Sequence, residues 1–229
     1  MNFSRLKSIR FTFKNFYVFG QTIIDKVALQ SEAIDSYTFE FDGEHNLHEM
    51  LTFGKGGIVI SAHVGNFEIA GPFLERLDIN LNIVTAATGE EQIKTYVESL
   101  NKKKNKGYLY VKEDMSHIFH INNALKNNEL ICFTGDRFFE NTKSVTASIL
   151  GEDALFPMGP FQLASRFKVP YSFVFAMKES STHYHFYATK CKISEGNAES
   201  IVKEYAETLE KMIAKYPEQW FNYYDFWGK

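Results

Sequence analysis

From position 55 onward the apolar positions fall alternately into short continuous runs and helix-spaced stripes. Lys55 to Ala62 is a glycine turn followed by Ile58, Val59 and Ile60, the pattern of a short buried strand. Asn66 to Leu77 repeats Ile69, Phe73 and Leu77 at helical spacing, which predicts a helix directly after that strand. Asn80 to Ala86 reads as strand, Glu90 to Asn101 as helix, Gly107 to Val111 as strand, Met115 to Lys126 as helix, and Glu129 to Thr134 as a strand closed by Gly135. Lys143 to Leu150 and Tyr171 to Met177 read as strands around a helix from Gly159 to Phe167, with Tyr184 to Lys192 as a further strand. The last helix repeats Ile201, Val202, Tyr205, Leu209, Met212, Ile213 and Tyr216 until Pro217 stops it. Strands and helices alternating at this spacing predict an α/β fold, a mixed, mostly parallel central sheet flanked by helices.

The first 24 residues have a different pattern. Arg5, Lys7, Arg10 and Lys14 are interleaved with aromatics, and Phe3, Leu6, Phe13, Phe16 and Tyr17 fall near one helical stripe. Such a helix can lie in an anionic bilayer interface, or it can pack on a core with a solvated basic face. Residues 1–24 are therefore set apart as a basic aromatic amphipathic segment, and 25–229 as a single domain without repeats or linkers.

Composition narrows the class. The chain has 229 residues, 45% of them apolar, and a net charge of −3 from 25 basic and 28 acidic residues, which suits an ordered domain and disfavours a nucleic-acid partner. Two cysteines, Cys132 and Cys191, rule out a disulfide scaffold and fit a reducing compartment. No run is long enough to span a membrane, and no signal peptide is expected, so a cytoplasmic location follows. The unusual feature is aromatic content, 16% of the chain, concentrated in part at Phe3 to Phe19 and Trp220 to Trp227.

His63 and Glu68 lie in Ser61-Ala62-His63-Val64-Gly65-Asn66-Phe67-Glu68. Inside one helix, five residues turn through about 500°, leaving the two side chains about 140° apart. If His63 ends the strand and Glu68 sits in the next helix, the turn can bring the carboxylate onto the ring, orienting a general base. Asp136 and Arg137 follow another strand end, where open α/β sheets place ligands, and arginine's planar fork suits a phosphate. Gly159 opens a helix whose backbone N–H groups suit an oxyanion. His117 with His120, and His183 with His185, could be read as metal pairs. Neither pair has a Cys or acid at ligand spacing, so no metal is expected. Cys132, in an apolar strand, is expected in the core.

Taken together, His63 to Glu68 after a strand, Gly135-Asp136-Arg137 after another, Phe156 to Pro170 leading into a third, and the ending Tyr216 to Trp220 resemble the His-x4-Asp/Glu glycerolipid and lysophospholipid acyltransferases. The resemblance is to the branch containing the late acyltransferases of bacterial lipid A biosynthesis, and it covers nearly the whole chain. It implies a glycerolipid-acyltransferase-like fold and transfer of a fatty acyl group from an acyl carrier protein or coenzyme A thioester to a hydroxyl of a lipid acceptor. His63 would be the general base and Glu68 its orienting partner, with no cofactor. Arg137 would bind a phosphate or headgroup, Asn66 would shape the turn, and Asp136 and Gly159 would line the substrate site.

Two features depart from that branch: the N-terminus lacks an apolar anchor helix, and Phe221 to Trp227 is aromatic and slightly acidic. Attachment is accordingly expected to be peripheral, on the cytoplasmic face of the inner membrane, and the acceptor stays open between a lipid A sugar and another lipid. The run Lys102, Lys103, Lys104 and Lys106 could dock an acidic carrier protein. A thioesterase or lipid hydrolase using the same base, and a non-catalytic lipid-binding protein of this fold, are the alternatives.

Overall fold

The apolar run Gly57–Ser61 forms a strand buried at every position, as a strand covered on both faces should be. It lies in a computed structural model that describes residues 4–29, 31–66, 69, 80–86, 106–111, 114–137 and 142–227. In chain order the elements are α1 (Arg5–Ala28), β1 (Thr38–Asp42), α2 (Glu44–Thr52), β2 (Gly57–Ser61), β3 (Leu81–Ala86), β4 (Lys106–Val111), α3 (His117–Lys126) and β5 (Leu130–Thr134). They continue with β6 (Ser144–Ile149), β7 (Glu152–Pro157), α4 (Gly159–Phe167), β8 (Pro170–Lys178), β9 (His183–Ala188), β10 (Lys192–Ile193) and α5 (Ala198–Lys215).

The sheet runs β1-β9-β8-β2-β5-β3-β4, with β10 beside β8, and β6 and β7 form a separate two-stranded ribbon. Within the sheet β9 and β10 pair antiparallel with β8, and the other neighbours are parallel. This is the expected mixed, mostly parallel sheet flanked by helices. From β2 the chain passes to β3 on one side, and after β5 it goes to β8 on the other. The adjacent strands β2 and β5 therefore mark the point where the strand order reverses, and it is beyond such strand ends that open α/β sheets place their ligands.

Alternation along β2 and β5 divides the core between the faces of the sheet. Ile58, Ile60, Ile131 and Phe133 join Phe156, Phe161, Phe173, Tyr205 and Leu209 in one cluster. Val59, Leu130 and Cys132 join Leu47, Met50, Leu81 and Cys191 in another, so both cysteines are buried and neither is in a disulfide. A third cluster, with Leu29, Ala176 and Tyr184, lies beside a buried polar group in α1. There Asp25 takes Lys178 Nζ at 2.5 Å, the Tyr37 hydroxyl at 2.8 Å and the Tyr184 hydroxyl, which satisfies a charge that would be costly if left unpaired.

Several elements differ from the sequence pattern. The expected strand Tyr184 to Lys192 stops at Ala188, because Phe173 N donates to the Thr189 hydroxyl at 2.9 Å instead of its carbonyl, which takes the Ser172 hydroxyl, and the chain resumes as β10. Lys143 to Leu150 is half of a hairpin whose second strand, β7, was not foreseen, nor were β1 and α2. α1 runs unbroken past position 24 to Ala28. The helix expected at Glu90 to Asn101, the lysines 102–104, and all of the helix expected at Asn66 to Leu77 except Asn66 and Ile69 lie outside the described residues.

Gly65, just past β2, takes φ +66°, and a Cβ there would stand 2.1 Å from Ala176 O. That turn lets Asn66 N donate to Ala176 O at 2.7 Å. Gly54 has a similar φ, +64°, with nothing near its would-be Cβ. Gly54→Ala should therefore cost only the backbone term, about 1 kcal/mol, while Gly65→Ala should cost roughly 3 kcal/mol or more through the added clash. Urea unfolding of both variants checks this, and equal losses would contradict it.

Candidate functional site

Strand register assembles the site. β2 and β5 pair with Ser61 opposite Thr134, so two residues further on His63 stands opposite Asp136. Gly135 N extends the ladder to Ser61 O at 2.8 Å. A Cβ on Gly135 would come within 2.7 Å of Ile60 and 3.0 Å of Phe161 and Tyr205, so only glycine lets the chain pass at this point. Asp136 then accepts twice from one residue: Oδ2 from His63 N and Oδ1 from His63 Nδ1, each at 2.8 Å.

Asp136 is 1% exposed, and the His63 side chain keeps 23% of its surface. A carboxylate can only accept, so in the neutral ring Nδ1 carries the proton and Nε2 the lone pair. A base with its tautomer fixed from behind, at the C-terminal edge of a switch point, is equipped to take a proton from a bound hydroxyl or water. Tyr205 donates to Ser61 O beneath the pair, and Tyr224 donates to Asp136 O at 2.9 Å. The Tyr224 phenol is pushed up to about 12, first by burial and then by the Asp136 charge, with Arg137 opposing, so it remains a donor at neutral pH.

The last residues of the chain wrap this loop. Gly65 N donates to Gln219 O at 2.8 Å, Phe221 N donates to His63 O at 2.9 Å, and Val64 bridges to Trp220. Gln219 is held in turn by its side chain, which accepts from Lys178 N and donates to Lys178 O. Arg137 donates through Nη2 to Phe221 O, with its guanidinium 5.5 Å from the Tyr224 ring centre. From the other side, Asn15 of α1 donates to Glu218 O and Trp220 O, and Phe16 stacks on Tyr223 at 5.4 Å. The two aromatic clusters at the chain's ends thus meet each other.

Of the residues singled out from sequence, His63, Asp136 and Arg137 come together. Glu68 lies outside the described residues, and among the described residues the carboxylate on His63 Nδ1 is that of Asp136. Asn66 is buried, and its amide donates to Thr22 O at 3.1 Å and the Tyr184 hydroxyl at 3.3 Å, so its side chain ties the loop to α1 and β9. Gly159 is the exposed first residue of α4, two positions before the Phe161 ring that meets Gly135. Sequence reasoning missed Tyr224 and the roles of Phe221 and Gln219, whose partners lie 88, 84 and 41 positions away.

Four buried polar atoms here have no hydrogen-bond partner among the described residues: Arg137 Nε, Trp220 Nε1, Asn222 Oδ1 and Trp227 Nε1. Buried groups of this kind usually find a partner in a neighbouring group, a water or a ligand. Side chains with the donors to hold a cation, Glu40, Glu179 and His183, lie elsewhere, at the β1–β9 edge. Among the described residues no helix is long and apolar enough to cross a membrane. No curated protein matches the chain. The family model for bacterial lipid A biosynthesis acyltransferases matches residues 6–227, from the start of α1 to the last aromatic residue, and the chain belongs to that family.

Proposed function

We propose that this chain moves a fatty acyl group from an acyl thioester, on acyl carrier protein or coenzyme A, to a hydroxyl of a lipid A-like or lysolipid acceptor. The observation that carries this is the His63–Asp136 pair beyond the ends of β2 and β5 in a chain of this family. His63 Nε2 takes the acceptor proton as the hydroxyl oxygen attacks the thioester carbonyl, and Asp136 stabilises the imidazolium. The tetrahedral intermediate collapses by breaking the carbon–sulfur bond, and the imidazolium returns its proton to the thiolate. The products are an ester and a free thiol, so no acyl-enzyme and no cofactor is needed. Arg137 binds an acceptor phosphate through the guanidinium edge that includes Nε. Asn66 holds the loop's shape, and Gly159 offers a backbone N–H at a helix start.

Attachment to the membrane is through α1. Its inner face carries Asn15, Val18, Thr22 and Asp25, which are buried or bonded to the domain. On the opposite side Leu6, Phe13, Tyr17, Ile24 and Val27 are each more than 60% exposed. At about 100° per residue these positions form one stripe, flanked by Arg5 and Arg10. An apolar stripe with flanking cations suits the interface of an anionic leaflet, here the cytoplasmic face of the inner membrane.

His63→Ala is expected to lower transfer of labelled acyl chain from carrier-protein thioester to membrane lipid by roughly 10²–10⁴-fold. Asp136→Asn should fall into the same range, with folding checked by circular dichroism, because an amide can donate to Nδ1 and favour the other tautomer. Full turnover in His63→Ala would overturn the mechanism, and release of free fatty acid at the same rate without acceptor would make the enzyme a hydrolase. For attachment, Leu6→Gln, Phe13→Gln and Ile24→Gln together should weaken sedimentation with phosphatidylglycerol vesicles at least about tenfold, since each buried apolar side chain contributes about 1.5–3 kcal/mol. Unchanged sedimentation would exclude α1 as the anchor.

A further inference from the structure

β9 carries His183 and His185 on one face, and its parallel neighbour β1 presents Thr38, Glu40 and Asp42 in register, Thr38 opposite His183 and Glu40 opposite His185. The acids that neither histidine has nearby along its own strand therefore come from the next strand. Glu179, in the turn between β8 and β9, adds another. His183 Nε2 lies 3.9 Å from Glu40 Oε2 and 4.0 Å from Glu179 Oε2. The same glutamates face His185 Nδ1, at 4.0 Å and 3.4 Å.

We infer that the β1–β9 edge is a binding site for a borderline divalent transition metal, with Zn²⁺ the best fit, ligated by His183, Glu40 and Glu179 with His185 as fourth neighbour. Imidazole nitrogen with carboxylate oxygen is a zinc-type donor set, whereas Mg²⁺ and Ca²⁺ favour oxygen alone. Bonds of about 2.0–2.1 Å in a tetrahedron put ligand atoms roughly 3.3 Å apart, and the ligand atoms here lie within 4.8 Å of one another, so closing around an ion takes side-chain movements of at most about 1.5 Å.

Three further observations point the same way. His183 Nδ1 is bonded to the Thr38 hydroxyl at 2.7 Å, the outer contact that turns the other ring nitrogen of a metal ligand inward. His185 is 8% exposed, and the Nδ1 that faces both glutamates also meets the Tyr187 hydroxyl at 2.9 Å, while its Nε2 lies 3.2 Å from Asp42 Oδ2. Glu40, Asp42 and Glu179 bring three negative charges, and Lys215, on the Tyr187 hydroxyl at 2.8 Å, sets one positive charge against them. A dication balances the difference. Through Glu179 the ion would also brace the active loop, because Tyr216 donates to Glu179 and the next residues, Pro217–Gln219, lead into the bonds on Gly65.

The test uses the full chain, freed of any tag and of metal, titrated with Zn²⁺ by calorimetry and with Co²⁺ by visible absorption. One ion per chain with micromolar or tighter affinity, and a Tm rise of about 5 °C at a hundredfold excess over Kd, are expected. His183→Ala combined with Glu40→Gln, both at partly exposed positions, should abolish both responses while keeping the metal-free circular dichroism spectrum. Absence of saturable binding up to about 1 mM Zn²⁺, or equal binding by the double variant, would overturn the site and leave the cluster as an ion-pair network only.

Discussion

The two-point grip of Asp136 on His63 is the interaction on which the rest of the site depends. One carboxylate holds both the backbone N–H and the ring of the same residue, fixing where the loop leaves β2 and how the imidazole is turned. Neither residue belongs to a strand, yet their meeting is a property of the sheet: the pairing of Ser61 with Thr134 carries on for two more positions. A slip of one residue would put His63 opposite Gly135 or Arg137 and reverse the faces of the strand that slipped, moving Ile60 or Phe133 out of their core. Core packing and site geometry therefore enforce the same register.

The chain's two ends complete what the register begins. His63, Val64 and Gly65 cannot make sheet bonds on both sides, so their backbone groups turn to residues 219–221. Those residues are steadied by Asn15 and by the reciprocal amide contacts of Gln219 with Lys178. Lys178 also carries the buried ion pair with Asp25, so α1, β8 and the chain's end form one braced unit under the loop. This accounts for much of the aromatic surplus: Phe19 against Phe221 at 5.1 Å and Trp220 against Trp227 at 5.7 Å are internal contacts between the chain ends or within the final segment, while Leu6 and Phe13 point away from the domain.

The alternating pattern made the α/β class legible, and most described strands fall within a residue or two of their expected limits because their apolar runs are continuous. β1 was harder to see: Thr38–Asp42 is five residues long, only half buried, and acquires meaning beside β9, a neighbour 145 positions away. His63 was legible from its motif, and Asp136 from its place after an apolar strand. Their contact was not, because β3, β4 and α3 intervene in the chain and nothing local says that β5 inserts between β2 and β3. The same limit explains the histidines of β9, whose acids lie on another strand and in the β8–β9 turn.

A long-range arrangement of this kind separates two demands that a short motif would combine. The loop His63-Val64-Gly65-Asn66 presents one imidazole, while its conformation is set by residues from α1, β8, the turn after β5 and the C-terminal segment. Those contacts are mainly backbone hydrogen bonds and buried side-chain amides, which fix the loop's position through groups that carry no charge. Among the described residues the carboxylate on Nδ1 is that of Asp136, which is 1% exposed, so water competes little for its oxygens. Asp136 can orient the base in this way because the sheet, the glycine before it and the tyrosines against it leave its side chain little room for another arrangement.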